Sequence, residues 1–226
     1  MRSPSTPTVS PARLRPARER SVFINCPFDP EYQPLLRAMC FSIMACGYIP
    51  RCALDFNDSG AVRFQEIVAL ITACGLSIHD VSRVELDSTS KLPRFNMPLE
   101  LGADLALRLA GPAKQRARKT LVLDTEKHRY DVTLSDISGM DVEAHGNEAG
   151  RVIKHVRDWL NAHRGEQRIL PGAAAITEDH AAYLKIAPDI IRALRLDPHD
   201  ELPHRDYLEV VEQALPLIEK ARSTSS

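Results

Sequence analysis

The sequence predicts a three-layer α/β domain on a parallel sheet, followed by a smaller helical appendage. Three observations carry this expectation. Short apolar runs of strand length alternate with stretches of helical spacing, glycines close the helical stretches, and the connections are short. A β-α-β-α-β-α-β alternation of this kind is satisfied by parallel strands joined through right-handed crossovers, with helices covering both faces of the sheet.

Residues 1–20 are rich in Pro, Ser and Arg without apolar periodicity, and read as a disordered arm. A solvated tail and transient contact with nucleic acid or an organelle address are the alternatives for it. Order is expected to begin at SVFINCPF, a buried first strand that runs into a loop at Asn25-Cys26-Pro27. From Tyr32 to Cys46, Leu35, Leu36, Met39, Ile43 and Met44 recur at helical spacing, with Gly47 as the closing residue. YIPRCALD is a second strand, and Pro50 marks it as an edge or a strand start because proline cannot donate to an interior ladder. FNDSGAVR has loop chemistry, and FQEIVALITACG is a helix stopped by Gly75. LSIHDVS is the third strand. The polar linker RVELDSTSKLPRF leads into the helix NMPLELGADLALRLAG, with Pro98 in its first turn and Gly111 at its end. KTLVLD is the fourth strand.

Residues 125–148 are polar and irregular, whereas GRVIKHVRDWLNAH places Val152, Ile153, Val156, Trp159 and Leu160 on one helical face. RILPGAAAIT reads as a final strand or a loop, and residues 178–195 and 205–222 as two further helices. The expected division is a disordered arm at 1–20, an α/β domain at 21–165 and a helical C-terminal appendage at 166–226.

Composition narrows the function classes. The 226 residues are 44% hydrophobic and 26% charged with a net charge of -1, which gives no global pull toward nucleic acid or an anionic membrane. No apolar run approaches the roughly 18 residues of a membrane span, and no apolar h-region opens the sequence, so the cytoplasm is the expected compartment. Five cysteines without C-x-x-C spacing read as reduced and structural. Neither H-E-x-x-H nor a paired Cys/His spacing occurs, so no dedicated metal site is expected.

Ligands in an open parallel sheet bind beyond the carboxyl ends of the strands. Those ends carry Asn25 with Cys26, Asp55, and His79 with Asp80, and the helix from Asn96 starts at the same edge with Glu100 in its first turn. The helix dipole favours an ionised carboxylate there by roughly 0.3–1 kcal/mol. Such a carboxylate can attack an anomeric carbon or stabilise an oxocarbenium-like centre, and a helix-capping Glu is the plain alternative. Asp104, four residues on, reads as an i,i+4 partner of Arg108. Asp80 reads either as a holder of loop amides or as a group on a ribose hydroxyl, and Asn25 as a ligand contact or an Asx-turn. Arg51 and Arg63 are candidate phosphate clamps or partners of nearby acids. Phe28 and Phe95 are candidate base-stacking groups or core anchors.

The strand VFIN, the loop before FQEIVALITACG, the strand LSIHDVS, and Met97-Pro98-Leu99-Glu100-Leu101-Gly102 followed by KTLVLD resemble the TIR (Toll/interleukin-1 receptor) and nucleoside 2-deoxyribosyltransferase superfamily over roughly residues 21–125. INCPFD, IHDVS and PRFNMPLELG are similar to bacterial TIR-like proteins. The resemblance implies a flavodoxin-like parallel sheet and a catalytic carboxylate at Glu100. It further implies an N-glycosidase that cleaves or transfers the ribosyl group of NAD or a related nucleotide, with a place in bacterial defence signalling. Asp80 and Asn96 would then meet ribose hydroxyls, Arg51, Arg63 or Arg94 would meet phosphate, and Asn25 would line the site. NAD enters as a substrate and no bound cofactor is expected. The expected partners are a nucleotide and a second copy or another protein. A single strong carboxylate favours NAD over nucleosides, because nicotinamide departs neutral without a general acid. The alternative is a non-catalytic nucleotide-sensing or assembly module.

Overall fold

The computed structural model describes residues 17–56, 58, 60–83, 91, 92, 94–165, 169–197 and 201–224. Residues 1–16 of the arm and most of the linker RVELDSTSKLPRF lie outside the described residues. Five parallel strands, β1 (Ser21–Asn25), β2 (Ile49–Cys52), β3 (Leu76–Asp80), β4 (Lys119–Asp124) and β5 (Val142–Ala144), form one sheet in the order β2-β1-β3-β4-β5. This is the flavodoxin-like doubly wound order, whose direction of winding reverses between β1 and β3. Pro50 sits in β2 opposite Val22, and β2 is an edge strand, where a missing ladder donor is tolerated.

The helices are α1 (Ala17–Arg20), α2 (Gln33–Ala45), α3 (Arg63–Ala73), α4 (Asn96–Ala110), α5 (Ala113–Arg116), α6 (Tyr130–Thr133), α7 (Ala149–Ala162), α8 (Ala173–Ala193) and α9 (His204–Thr224), with 3-10 turns at Ala53–Asp55 and Ser135–Ile137. Every residue of β1 and β3 is buried, as expected of strands covered on both faces. The two-residue alternation of β1 divides the core. Val22 and Ile24 face α2 and α7, while Phe23 faces Ile67, Leu70 and Ile71 of α3. A third cluster packs Leu101 of α4 on Val81, Val122 and Val142.

Gly47, at φ +78°, ends α2 as its sequence position predicts. The Gly47 amide donates to Met44 O and the Tyr48 amide to Ile43 O, the paired bonds of a Schellman motif. Gly75 has a different role. Its amide donates to Arg18 O, and a Cβ there would lie 3.0 Å from that same oxygen, so the glycine admits the close approach of α1. Ala17–Arg20, assigned from sequence to the disordered arm, therefore forms a helical turn, and Arg18 also donates to Gln115 Oε1.

The fifth strand is Val142–Ala144, inside the segment read as irregular, and RILPGAAAIT instead leads into α8. The C-terminal helices do not form a separate core. Ile176, Tyr183, Val210 and Val211 share the cluster of β1, α2 and α7. The Tyr207 hydroxyl donates to Arg37 O, and Arg205 donates to Asp55 O. Among the described residues, no helix is long and apolar enough to cross a membrane.

Candidate functional site at the carboxyl edge

Two buried polar chains support the carboxyl edge of the sheet. The first starts at Asn25, the last residue of β1. Its Nδ2 donates to Met97 O at 2.8 Å, which fixes the amide orientation, and lies 3.0 Å from His79 Nδ1. Nδ1 must then accept, so the His79 hydrogen is on Nε2, which faces Asp104 Oδ2 at 3.4 Å. Asp104 Oδ2 also accepts from Ser77 and Thr120, each at 2.8 Å, and Oδ1 lies 2.6 Å from Arg118 Nε. Arg118 and Asp104 are both excluded from solvent, at 0% side-chain exposure. Burial alone would raise the Asp104 carboxyl, but His79, Arg118 and Thr120 together hold it below its ordinary value. Arg118, not Arg108, is thus the partner of Asp104, which corrects the i,i+4 expectation.

The second chain centres on Asp80, the last residue of β3. Oδ2 accepts from the Tyr32 hydroxyl and lies 3.0 Å from His145 Nε2, and Oδ1 accepts from the Ser82 amide at 2.9 Å. The Asn147 amide donates to His145 Nδ1 at 3.0 Å, so His145 is the neutral Nε2-H tautomer. Asp80 thereby ties the loops after β1, β3 and β5 together. Of its two sequence readings, these bonds correspond to the loop-holding one. Beyond β4, Arg129 donates to Asp124 Oδ1 and to Ser82 O. Ser82, Arg83, Thr125, Arg129 and Asn147 border a cavity of about 450 Å³ on this side of the edge.

Glu100 differs from both chains. It is buried in α4 at 9% exposure, yet it makes no hydrogen bond or ion pair among the described residues. It lies just past the first turn, which holds no acidic residue, so the dipole acts on it less than the sequence predicts. Burial pushes its carboxyl from 4.5 up to about 7, with the Arg63 guanidinium pulling the other way. Burial thus opposes the ionised form that the helix dipole was expected to favour. The buried Cys26 thiol feels the charge of both Asp80 and Glu100. Its rise is caused by burial first, then by Cys52, Asp80, Cys40 and Glu100.

The remaining predicted residues divide by their partners. Arg63, exposed at the first position of α3, is the cation that bears on Glu100, and its Nη2 reaches Ala53 O at 3.5 Å. Arg51 pairs with Asp55 at 2.6 Å, and Arg94 with Asp29 at 2.6 Å. Asn96 is exposed at the start of α4. Phe28 is partly buried against the core, but Phe95 is 69% exposed and anchors nothing. Sequence reasoning missed Tyr32, Asp104, Arg118 and His145 as members of the buried network. A usable signal existed for one of them. Met97, Glu100, Leu101 and Asp104 fall at i, i+3, i+4 and i+7, and all four are buried on the inner face of α4.

A carboxyl pushed up by burial, an exposed arginine whose charge bears on it and an exposed aromatic at the start of the same helix suit the handling of a polar, partly cationic ligand. Compared with known proteins, the chain matches no family model, no curated protein and no solved structure.

Proposed function

We propose that the chain is a TIR-like nucleotide-processing enzyme, an N-glycosidase that cleaves or transfers the ribosyl group of NAD or a related nucleotide in bacterial defence signalling. The observation that carries this reading is Glu100. A largely buried carboxyl that makes no hydrogen bond or ion pair among the described residues, raised by burial and opposed only by the charge of Arg63, has little structural use at a sheet's carboxyl edge. Its most economical purpose is to meet a ligand charge.

In the proposed reaction the C1′–N bond breaks, and its electron pair moves into the pyridinium ring, so that nicotinamide leaves neutral. The ionised Glu100 bonds to C1′ or stabilises the cationic centre. Water or an acceptor base then completes the transfer, and water gives up its proton on hydrolysis. The positive pyridinium of bound NAD favours the ionised form of Glu100. Arg63 or Arg94 would meet phosphate and Asn96 a ribose hydroxyl, while Asn25 and Asp80 hold the loops that frame them.

A second reading, a nucleotide-sensing or assembly module, is favoured by one observation. Val62 and Phe64 flank Arg63 at 61% and 41% exposure, and Leu92, Phe95 and Leu99 are exposed around the start of α4. Incubation with NAD, with nucleosides and with a free acceptor base, at low and high protein concentration, separates the two. Base release that is lost in Glu100→Gln and Glu100→Ala supports the enzyme. No release at any concentration, with saturable nucleotide binding that survives Glu100→Gln, supports the module.

A further inference from the structure

We propose that Cys52, Asp55 and His204 form a zinc site that clamps the amino end of α9 to the open edge of the sheet. Cys52 ends β2, Asp55 closes the 3-10 turn that follows, and His204 opens α9, 152 positions away from Cys52. One ligand atom from each residue lies within 4.8 Å of the others. Cys52 Sγ is 3.3 Å and Asp55 Oδ1 is 3.8 Å from the same nitrogen, His204 Nε2. The nitrogen is within hydrogen-bond reach of the sulfur, while the carboxylate oxygen at 3.8 Å is beyond it. A cation between the three serves all of them.

The geometry suits zinc in particular. Bonds of about 2.3 Å to sulfur and about 2.0–2.1 Å to nitrogen and oxygen, set at tetrahedral angles, place ligand atoms about 3.3–3.6 Å apart, within a few tenths of an ångström of the two separations found. Calcium and magnesium take oxygen ligands, whereas a thiolate, an imidazole and a carboxylate match zinc. Two anionic ligands also balance the charge of a divalent ion at a place where Cys52 is fully buried and the His204 and Asp55 side chains are 5% and 8% exposed.

The outer groups are already set. Arg51 Nε holds Asp55 Oδ2 at 2.6 Å, which leaves Oδ1 toward the histidine, and Arg205 donates to Asp55 O at 3.0 Å. Binding forms the sulfur–metal bond as the Cys52 thiol loses its proton to solvent. Three protein ligands leave a fourth position. His204 also borders a cavity of about 280 Å³ with Leu54, Glu201 and Tyr207, which has room for a water or for the Glu201 carboxylate. The ion would join the sheet edge to the C-terminal helices, which otherwise dock there through Arg205 and apolar contacts.

The test uses the full chain, stripped with a chelator under reducing conditions and titrated with zinc sulfate against a chromophoric competitor. The expected result is one equivalent bound with submicromolar affinity, a raised melting temperature, and a thiolate-to-cobalt charge-transfer band when cobalt replaces zinc. Cys52→Ser and His204→Gln should each weaken zinc binding by more than about 100-fold, beyond what loss of an outer-shell partner costs. Cys40→Ser, a neighbouring buried thiol, should leave it unchanged. Absence of saturable zinc binding, absence of the cobalt band, or unchanged affinity in both ligand variants overturns the proposal. If those variants do not fold, X-ray absorption of the zinc-loaded wild type decides. One sulfur among nitrogen and oxygen neighbours supports the site, and a shell without sulfur removes it.

Discussion

Replacing Glu100 with Gln tests the effect of burying its carboxyl without any assumption about substrate. Glutamine keeps the shape of the side chain and cannot ionise. The native carboxyl is raised from 4.5 to about 7 because folding buries it. At about 1.4 kcal/mol per pH unit this is ~3.5 kcal/mol for a fully dry group. Glu100 keeps a solvent-facing edge, so screening reduces the expected effect to about 2 kcal/mol. The folded pKa lies above the unfolded one, so the folded state binds more protons between about pH 4.5 and 7 and loses stability as pH rises through that window. Urea denaturation of both proteins at pH 5.0 and pH 8.5 gives the comparison. Glu100→Gln should be more stable by about 2 kcal/mol at pH 8.5, or about 4–8 °C in melting temperature for a chain of this size, and nearly equal to wild type at pH 5.0. A difference that does not depend on pH, or a Gln variant less stable at pH 8.5, would refute the burial argument.

Three other outcomes follow from the same network. Arg118→Met leaves Asp104 as a buried charge without its main partner and should cost about 3–5 kcal/mol in urea denaturation, whereas Arg118→Met with Asp104→Leu should recover most of the loss. Tyr32→Phe removes the hydroxyl donor to buried Asp80 and should cost about 1–3 kcal/mol by the same assay, while a loss below a few tenths of a kcal/mol contradicts the bonding described. Arg63→Ala removes the cation that holds Glu100 down, so a titration of Glu100 followed by carbonyl NMR should move to higher pH, and a move to lower pH contradicts the assigned proximity.

Much of the fold was legible because its signals are local. KTLVLD is β4 as read, GRVIKHVRDWLNAH covers all of α7 but its first residue, and the helix expected from Tyr32 to Cys46 is Gln33–Ala45. Pro50 correctly pointed to an edge strand because its lost donor is a property of one residue. The fifth strand was hidden because three residues with a central Glu143 carry neither length nor an apolar run. Placing Glu100 on the buried face of α4 was accessible from helical spacing, but its protonation was not, since burial depends on what packs against it from elsewhere in the chain. The same holds for the polar chains. Asp80 meets His145 and Asp104 meets Arg118 only after the crossovers bring distant segments together, and Cys52 meets His204 across the whole domain. Pairwise spacing motifs cannot register partners set by topology.

The central claim is that an ionised Glu100 acts on a ribosyl centre. The most direct measurement is the pH dependence of kcat/KM for nicotinamide release from NAD by the wild-type chain and by Glu100→Gln. The account predicts a wild-type rate that rises with one ionisation near pH 7 and then levels, because only the carboxylate is competent, with the Gln variant inactive throughout. Turnover by Glu100→Gln at a comparable rate, or a wild-type profile flat between pH 5.5 and pH 8.5, would contradict it.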